Sequence, residues 1–357
     1  ILITICICII YVVIKRRNTL ISFILSAIKI IFLLGFLIFI HELGHFTVAK
    51  LCKVRVNEFA IGFGPAIWKK QGKQTKYALR LIPLGGFVSM EGEEERSAES
   101  GSFSKASIPK RIAIVAAGAI VNIIFAIIVY FLIIANSGTY ITNEIVSTTE
   151  GYPAQQIGLQ SGDKIIEANN KKIDNLYDLN KAIQENTESI NLKIDREGTI
   201  LEYNIVPKQI AEQQGERWYL GVNLKRAEDT IGNRCLNAAM STKEFVFSIV
   251  DNLKQLFTGN VGIDQMMGPV GISEVVSKTN GIKEFLYMMA LISISLGLTN
   301  LLPIPALDGG KILILIIEAI RRKPLKEQTE INIQLLGFSI LIVLSLYVTY
   351  NDIIRIF

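Results

Sequence analysis

Histidine is nearly missing from this chain: its 357 residues include two. Cysteine is scarce as well, and the four present (Cys6, Cys8, Cys52 and Cys235) form no C-x-x-C pair. Neither a thiolate metal site nor a disulfide framework is therefore supported, which leaves the cysteines as small apolar fillers. Charge is thin, 19% of residues against 50% hydrophobic, and the mean hydropathy of +0.40 is too high for an ordinary soluble chain of this length. The net charge of +5 is no footprint of nucleic-acid binding, because it divides by region. Residues 50–111 carry 12 basic and 6 acidic side chains (+6), whereas residues 136–284 carry 15 and 20 (−5). That asymmetry is a membrane-topology signal. What is abundant is long apolar runs, which predict a polytopic α-helical membrane protein with about four core transmembrane helices and an inserted polar α+β domain.

Both histidines fall in one stretch, His41-Glu42-Leu43-Gly44-His45, at the end of an apolar run. Two histidines four apart lie on one helix face, where both imidazoles reach a single Zn²⁺. Glu42 then faces the open coordination position as general base for a metal-bound water. The plain alternative is a pair of helix histidines satisfied by backbone or headgroups. The cost of ionisable groups at membrane depth argues against it.

In order, residues 1–18 are an apolar extension of open role, and 19–49 are the first span, in which Lys29 can snorkel if it lies near the outer end. Eight basic residues between Lys50 and Arg80, against four between Lys15 and Lys29, place the 50–110 segment in the cytoplasm. Within it, Gly62-Phe63-Gly64-Pro65 and Pro83-Leu84-Gly85-Gly86 divide short apolar runs, as in β-hairpins or a re-entrant segment. The second span is 111–135. Its Asn122 reads as an interhelix hydrogen bond. Residues 142–225 turn polar, with Gly158-Leu159, Ser161-Gly162-Asp163 and a strand-to-helix change of period near Tyr177. Residues 226–284 contain an amphipathic helix and the breaker Gly268-Pro269-Val270-Gly271. The third transmembrane segment, 285–323, includes Asn300-Leu301-Leu302-Pro303-Ile304-Pro305-Ala306-Leu307-Asp308-Gly309-Gly310, and the fourth is 330–352. Asp308 is either the N-cap of the following helix or a third metal ligand. The histidine pair favours the ligand.

The residues 142–225 resemble a single bacterial PDZ domain. HELGH in the first span, that domain, and NLLPIPALDGG in a late span together resemble the site-2 protease family, in its bacterial PDZ-containing branch. The resemblance implies one Zn²⁺ held by His41, His45 and Asp308, Glu42 as general base, and Asn300, Pro303, Pro305, Gly85 and Gly86 as substrate-binding residues. It implies a zinc-dependent intramembrane endopeptidase in the bacterial inner membrane, acting on single-span proteins such as anti-sigma factors or signal-peptide remnants. The PDZ domain would be extracytoplasmic and filter substrates, and the partners would be those substrates and the lipid bilayer, with no nucleic acid. Gly118-Ala119 departs from the Gly-Pro that the family often shows in its second span. Two other classes compete: a metal-handling transporter, which would carry polar residues along a path, and a catalytically silent PDZ scaffold, which would tolerate loss of Glu42.

Overall fold

The computed structural model describes residues 2–93, 95, 97–212, 215–259, 262 and 266–356, with side chains at all of these except 2–23, 83–84, 211–212, 215–216, 257 and 356. The chain forms two compact units, one from residues 1–130 and 242–357, the other from residues 131–241.

In the first unit, four stretches of helix are long and apolar enough to cross a membrane: Ile24–Leu51, Ile108–Ala135, Ile282–Asn300 and Glu327–Arg355. The first belongs to α1 (Leu2–Leu51), which continues back through the apolar extension to Leu2. The second is α2 (Ile108–Ala135), starting three residues earlier than expected because Pro109 sits well in a first helical turn. The expected third segment is two helices, separated by a turn at 301–307. Pro303 and Pro305 lack the N–H groups needed to continue the helix. Outward-facing apolar side chains such as Leu336, Phe338, Val343 and Leu346 dominate the last helix, as in a helix with lipid around it.

Between α1 and α2 lie β1 (Val56–Gln71) and β2 (Lys76–Met90), a long antiparallel hairpin turning at residues 72–75. The hairpin curls on itself: Phe59 pairs with both Val88 and Tyr77, and Ile61 with both Gly86 and Leu79. The two glycine–proline clusters are therefore corners of one folded hairpin rather than its loop. Residues 86–90 pair with β1 along one side, so their other side is an edge. Phe59, Val88 and Met90 pack with Phe103, Ile114 and Leu315, which anchors the hairpin among the helices.

The second unit is α+β. Its strands are β3 (Ile141–Thr148), β4 (Lys164–Ala168), β5 (Lys171–Lys172), β6 (Ile190–Arg196), β7 (Thr199–Ile205), β8 (Lys208–Glu212), β9 (Gly215–Tyr219) and β10 (Val222–Arg226), and its short helices are α3 (Pro153–Gln156) and α4 (Leu176–Glu185). The main sheet runs β10-β3-β4-β6-β7, with β5 on β4 and a separate β8-β9 hairpin. Ile190, Leu192 and Ile194 alternate into a core shared with Ile145, Ile165, Leu179 and Ile205. Asn175 caps α4 by accepting from the amides of Tyr177 and Asp178.

Beyond it, α5 (Ile231–Phe257) is amphipathic as expected. Phe245 stacks on Tyr130 at 4.2 Å, and Val246 and Ile249 pack against Ala126, Ala290 and Ile294. Gly268-Pro269-Val270-Gly271 opens a helix, α6 (Pro269–Ser277), with Pro269 in its first turn. The buried Asp352 accepts from the Gly271 amide at 2.7 Å. The Lys29 ammonium donates to the Thr279 carbonyl, in the turn after α6, at 3.0 Å. The chain closes with α7 (Ile282–Asn300), α8 (Asp308–Arg321) and α9 (Glu327–Ile356).

Candidate metal centre

Helix α1 brings its two histidines to one face, with their Nε2 atoms 3.1 Å apart and their rings at a steep angle. Asp308 arrives from the other end of the sequence. The turn before it is tight: the Ile304 and Leu307 amides close short loops onto Leu302 and Ile304, and Ala306 adopts a left-handed φ of 73°. Such a backbone is costly for a residue with a Cβ and persists where the surroundings impose it. Gly309 makes the turn possible, since a Cβ there would stand 2.2 Å from the Leu302 carbonyl oxygen. The N-cap of α8 is Leu307, without a side-chain cap bond. Asp308 is thus not the cap; its Oδ2 lies 3.2 Å from His41 Nε2 and 3.6 Å from His45 Nε2.

These three atoms fit zinc. Bonds of about 2.0–2.1 Å in a tetrahedron imply ligand–ligand edges of roughly 3.3–3.4 Å, and the observed edges are 3.1, 3.2 and 3.6 Å. Asp308 Oδ2 is buried without a hydrogen-bond partner, a cost that a cation at the centre of the triangle would remove. Among the described residues, this trio is the one group of three His, Cys, Asp or Glu side chains able to converge on an ion. His45 presents its other nitrogen, Nδ1, to the Ile114 carbonyl at 2.9 Å. That bond leaves Nε2 as the free lone pair toward the metal.

Glu42 shares with the trio a cavity of about 220 Å³, lined also by Phe87, Val88, Met90, Glu93, Val115 and Lys311. The Lys311 ammonium and the Glu93 carboxylate pair at 2.6 Å on its wall. Gly86 lies against Glu42, since a Cβ there would meet Glu42 Cγ at 3.2 Å. The other expected substrate residues are placed differently. Asn300 ends α7, Pro303 is exposed, Pro305 packs on Gly337 of α9, and Gly85 lies beside the Phe63 ring. None of these four lines the cavity.

Two residues of α2 were missed as parts of the site. Gly118 touches both imidazoles: a Cβ there would stand 2.4 Å from His45 Nε2 and 2.8 Å from His41 Cε1. One turn on, Asn122 is fully buried, with its amide Nδ2 3.4 Å from His41 Nδ1. The available signal was their i, i+4 spacing on one face of an otherwise apolar helix. Where Gly118-Ala119 replaces Gly-Pro, α2 remains a continuous helix.

Apolar helices able to span a membrane, with an H-E-x-x-H pair and a distant aspartate converging as zinc ligands do, define a membrane metallopeptidase class. The family model Peptidase family M50 matches residues 29–344. The chain belongs to this family, and it is a zinc metalloprotease. A Clostridium acetobutylicum protein provisionally named a zinc metalloprotease is 34% identical, over 90% of this chain and 95% of its own length. The regulator of sigma-W protease RasP of Bacillus subtilis is 28% identical over 94% and 100%, and the zinc metalloprotease RasP of Geobacillus kaustophilus 29% over 93% and 98%. Among solved structures, the PDZ domain of an SdrC-like protein from Listeria innocua matches at 19% identity, covering 26% of this chain and 99% of that one, with a TM-score of 0.21.

Proposed function

We propose that the protein hydrolyses peptide bonds within membrane-spanning segments of single-span proteins. The observation that carries this reading is the placement of His41, His45 and Asp308 on helices α1 and α8, against a small cavity that also holds Glu42. In this reading the three side chains hold one Zn²⁺, whose bound form lowers the pKa of water and polarises a carbonyl. Glu42 accepts the proton of the attacking water and returns it to the leaving amine. A helical substrate hides its carbonyls in its own hydrogen bonds and must be extended before attack. The free edge at residues 86–90 beside Glu42 suits strand addition, which would offset the lost helix bonds. Asn300, Pro303, Pro305 and Gly85 retain a substrate-holding role from the family resemblance.

The inserted unit is read as a PDZ domain from its strand order and the Gly-rich pattern around Ser161-Gly162-Asp163, and it filters substrates without entering the chemistry. The charge split puts it outside the bacterial inner membrane, with the hairpin segment and Arg321 to Lys326 in the cytoplasm. A thiol reagent added outside should therefore label Asn170→Cys and spare Ser97→Cys in a background without the native cysteines. One relative's name ties it to a sigma factor, which keeps membrane-anchored regulators among the candidate substrates. The decisive assay uses purified protein with a panel of single-span substrates, with and without a chelator. Chelator-sensitive cleavage inside the spans supports the proposal; cleavage confined to soluble flanks, or indifferent to both chelator and Glu42→Gln, sinks it.

A further inference from the structure

An imidazole that offers Nε2 to a metal carries its proton on Nδ1, and that proton needs an acceptor when the ring is buried. His45 has one, the Ile114 carbonyl. For His41 the group at Nδ1 is the side-chain amide of Asn122, with Nδ2 the nearer atom at 3.4 Å. Two N–H groups facing one another make no bond. Meanwhile Asn122 Oδ1 is buried without a partner, which is costly inside an apolar helix pair. A half-turn of the amide exchanges its oxygen and nitrogen with almost no change of shape. It gives the orphaned oxygen a donor and the His41 Nδ1–H an acceptor in one move.

The backbone is arranged to keep that amide in place. Asn122 is fully buried on α2, and the hydroxyl of the equally buried Ser293 on α7 donates to the Asn122 carbonyl at 2.9 Å. One turn away, Gly118 lets α2 lie directly on the two rings. Resting on the reading of His41 as a zinc ligand, we infer that Asn122 is a positioning residue. Its side-chain oxygen accepts the Nδ1–H of His41, which fixes the ring's tautomer and plane so that Nε2 points at the metal. The interhelix bond expected of this asparagine is thus the one its side chain makes from α2 to α1, and its backbone carbonyl adds a second, to Ser293 on α7.

The test measures zinc affinity of the full-length protein in detergent by competition with a chromogenic chelator, and the visible absorption of the Co²⁺-substituted form. Asn122→Leu keeps the side chain's size and removes the acceptor; Asn122→Ala makes the same deletion should the leucine variant fail to fold. Either should weaken zinc binding about 10- to 100-fold and shift the Co²⁺ bands. Asn122→Asp keeps an oxygen acceptor and should restore both readouts to within about threefold of the unsubstituted protein. Ser293→Ala removes only the backbone bond and leaves the acceptor, so it should weaken zinc binding by less than either deletion variant. Unaltered zinc affinity and Co²⁺ bands in the deletion variant would overturn the inference, as would equal losses in Asn122→Asp and Asn122→Ala. Full zinc binding by His41→Ala would overturn the ligand reading on which the inference stands.

Discussion

In the inserted unit the carboxylate of Asp163, 1% exposed, has every need met. Arg196 donates to both of its oxygens at 2.7 Å, and the Gln160 amide donates to one of them at 2.8 Å. In the membrane unit, Asp308 brings an oxygen to two imidazoles and makes no hydrogen bond with it. The two regions use buried polarity for different ends. A fully paired carboxylate fixes the packing of a small domain, whereas unpaired acceptors that converge on one point are costly unless something absent from the chain completes them. Breaking the first arrangement should cost stability; breaking the second should cost metal and chemistry.

The largest separation comes from Glu42→Gln. It removes the proposed base without removing a proposed ligand, so cleavage should fall about 10²- to 10⁴-fold while zinc content and thermal stability hold. A single-turnover assay beside metal analysis reads both. Next is Arg196→Met, which strands a buried carboxylate and should lower the unfolding midpoint of the inserted unit. Trp218 packs on that unit's core, so its fluorescence in a Trp68→Phe background reports the loss. Zinc affinity should be unchanged; a parallel loss of zinc would erase the distinction drawn between the two regions. Val88→Pro removes a backbone donor from the edge strand and should slow cleavage about tenfold, the worth of one or two hydrogen bonds, at full zinc content. Normal turnover in that variant would leave the edge without a role in substrate binding.

The smallest effect is a pH dependence. Hydrogen bonding from Arg196 holds the Asp163 carboxyl below its ordinary range, against the opposing effect of burial. With the folded value depressed, the stabilisation is complete above the unfolded value near 4 and fades as pH falls through the folded one. The stability gap between the unsubstituted protein and Arg196→Met, followed by the same fluorescence, should therefore narrow as pH falls, first as the stranded carboxylate of the variant takes a proton and then as Asp163 of the unsubstituted protein does. A gap that widened on acidification would mean that another group controls it.

Much of this arrangement was legible beforehand, for reasons that differ by element. The HELGH pair was visible because its spacing is local and the helix period alone converts it to geometry. The spans were visible because an apolar run of sufficient length has few other uses. β6 was readable from its strict alternation, Ile190, Leu192 and Ile194, while the β8-β9 hairpin, largely polar, offered no such pattern. Asp308 could be suspected from its cost, yet its distance from the histidines is a tertiary fact set by a strained turn at Ala306. For Asn122 the need for an interhelix partner was legible, but a sequence does not show that the partner is His41. The asparagine's helix, α2, lies closest on α1 where Gly44 and Gly118 let the backbones approach, a Cβ at Gly44 standing 2.6 Å from the Ala117 carbonyl oxygen.

The central claim is that the unpaired oxygen of Asp308 completes a zinc site with His41 and His45. It is tested most directly by the zinc affinity of the full-length Asp308→Asn variant, measured by chelator competition beside the unsubstituted protein. Affinity should fall by at least about 100-fold, because a neutral amide is a poor substitute for a carboxylate ligand, with the thermal transition of the inserted unit unmoved. Zinc bound at full affinity by a folded Asp308→Asn protein would contradict the account and place the third ligand elsewhere.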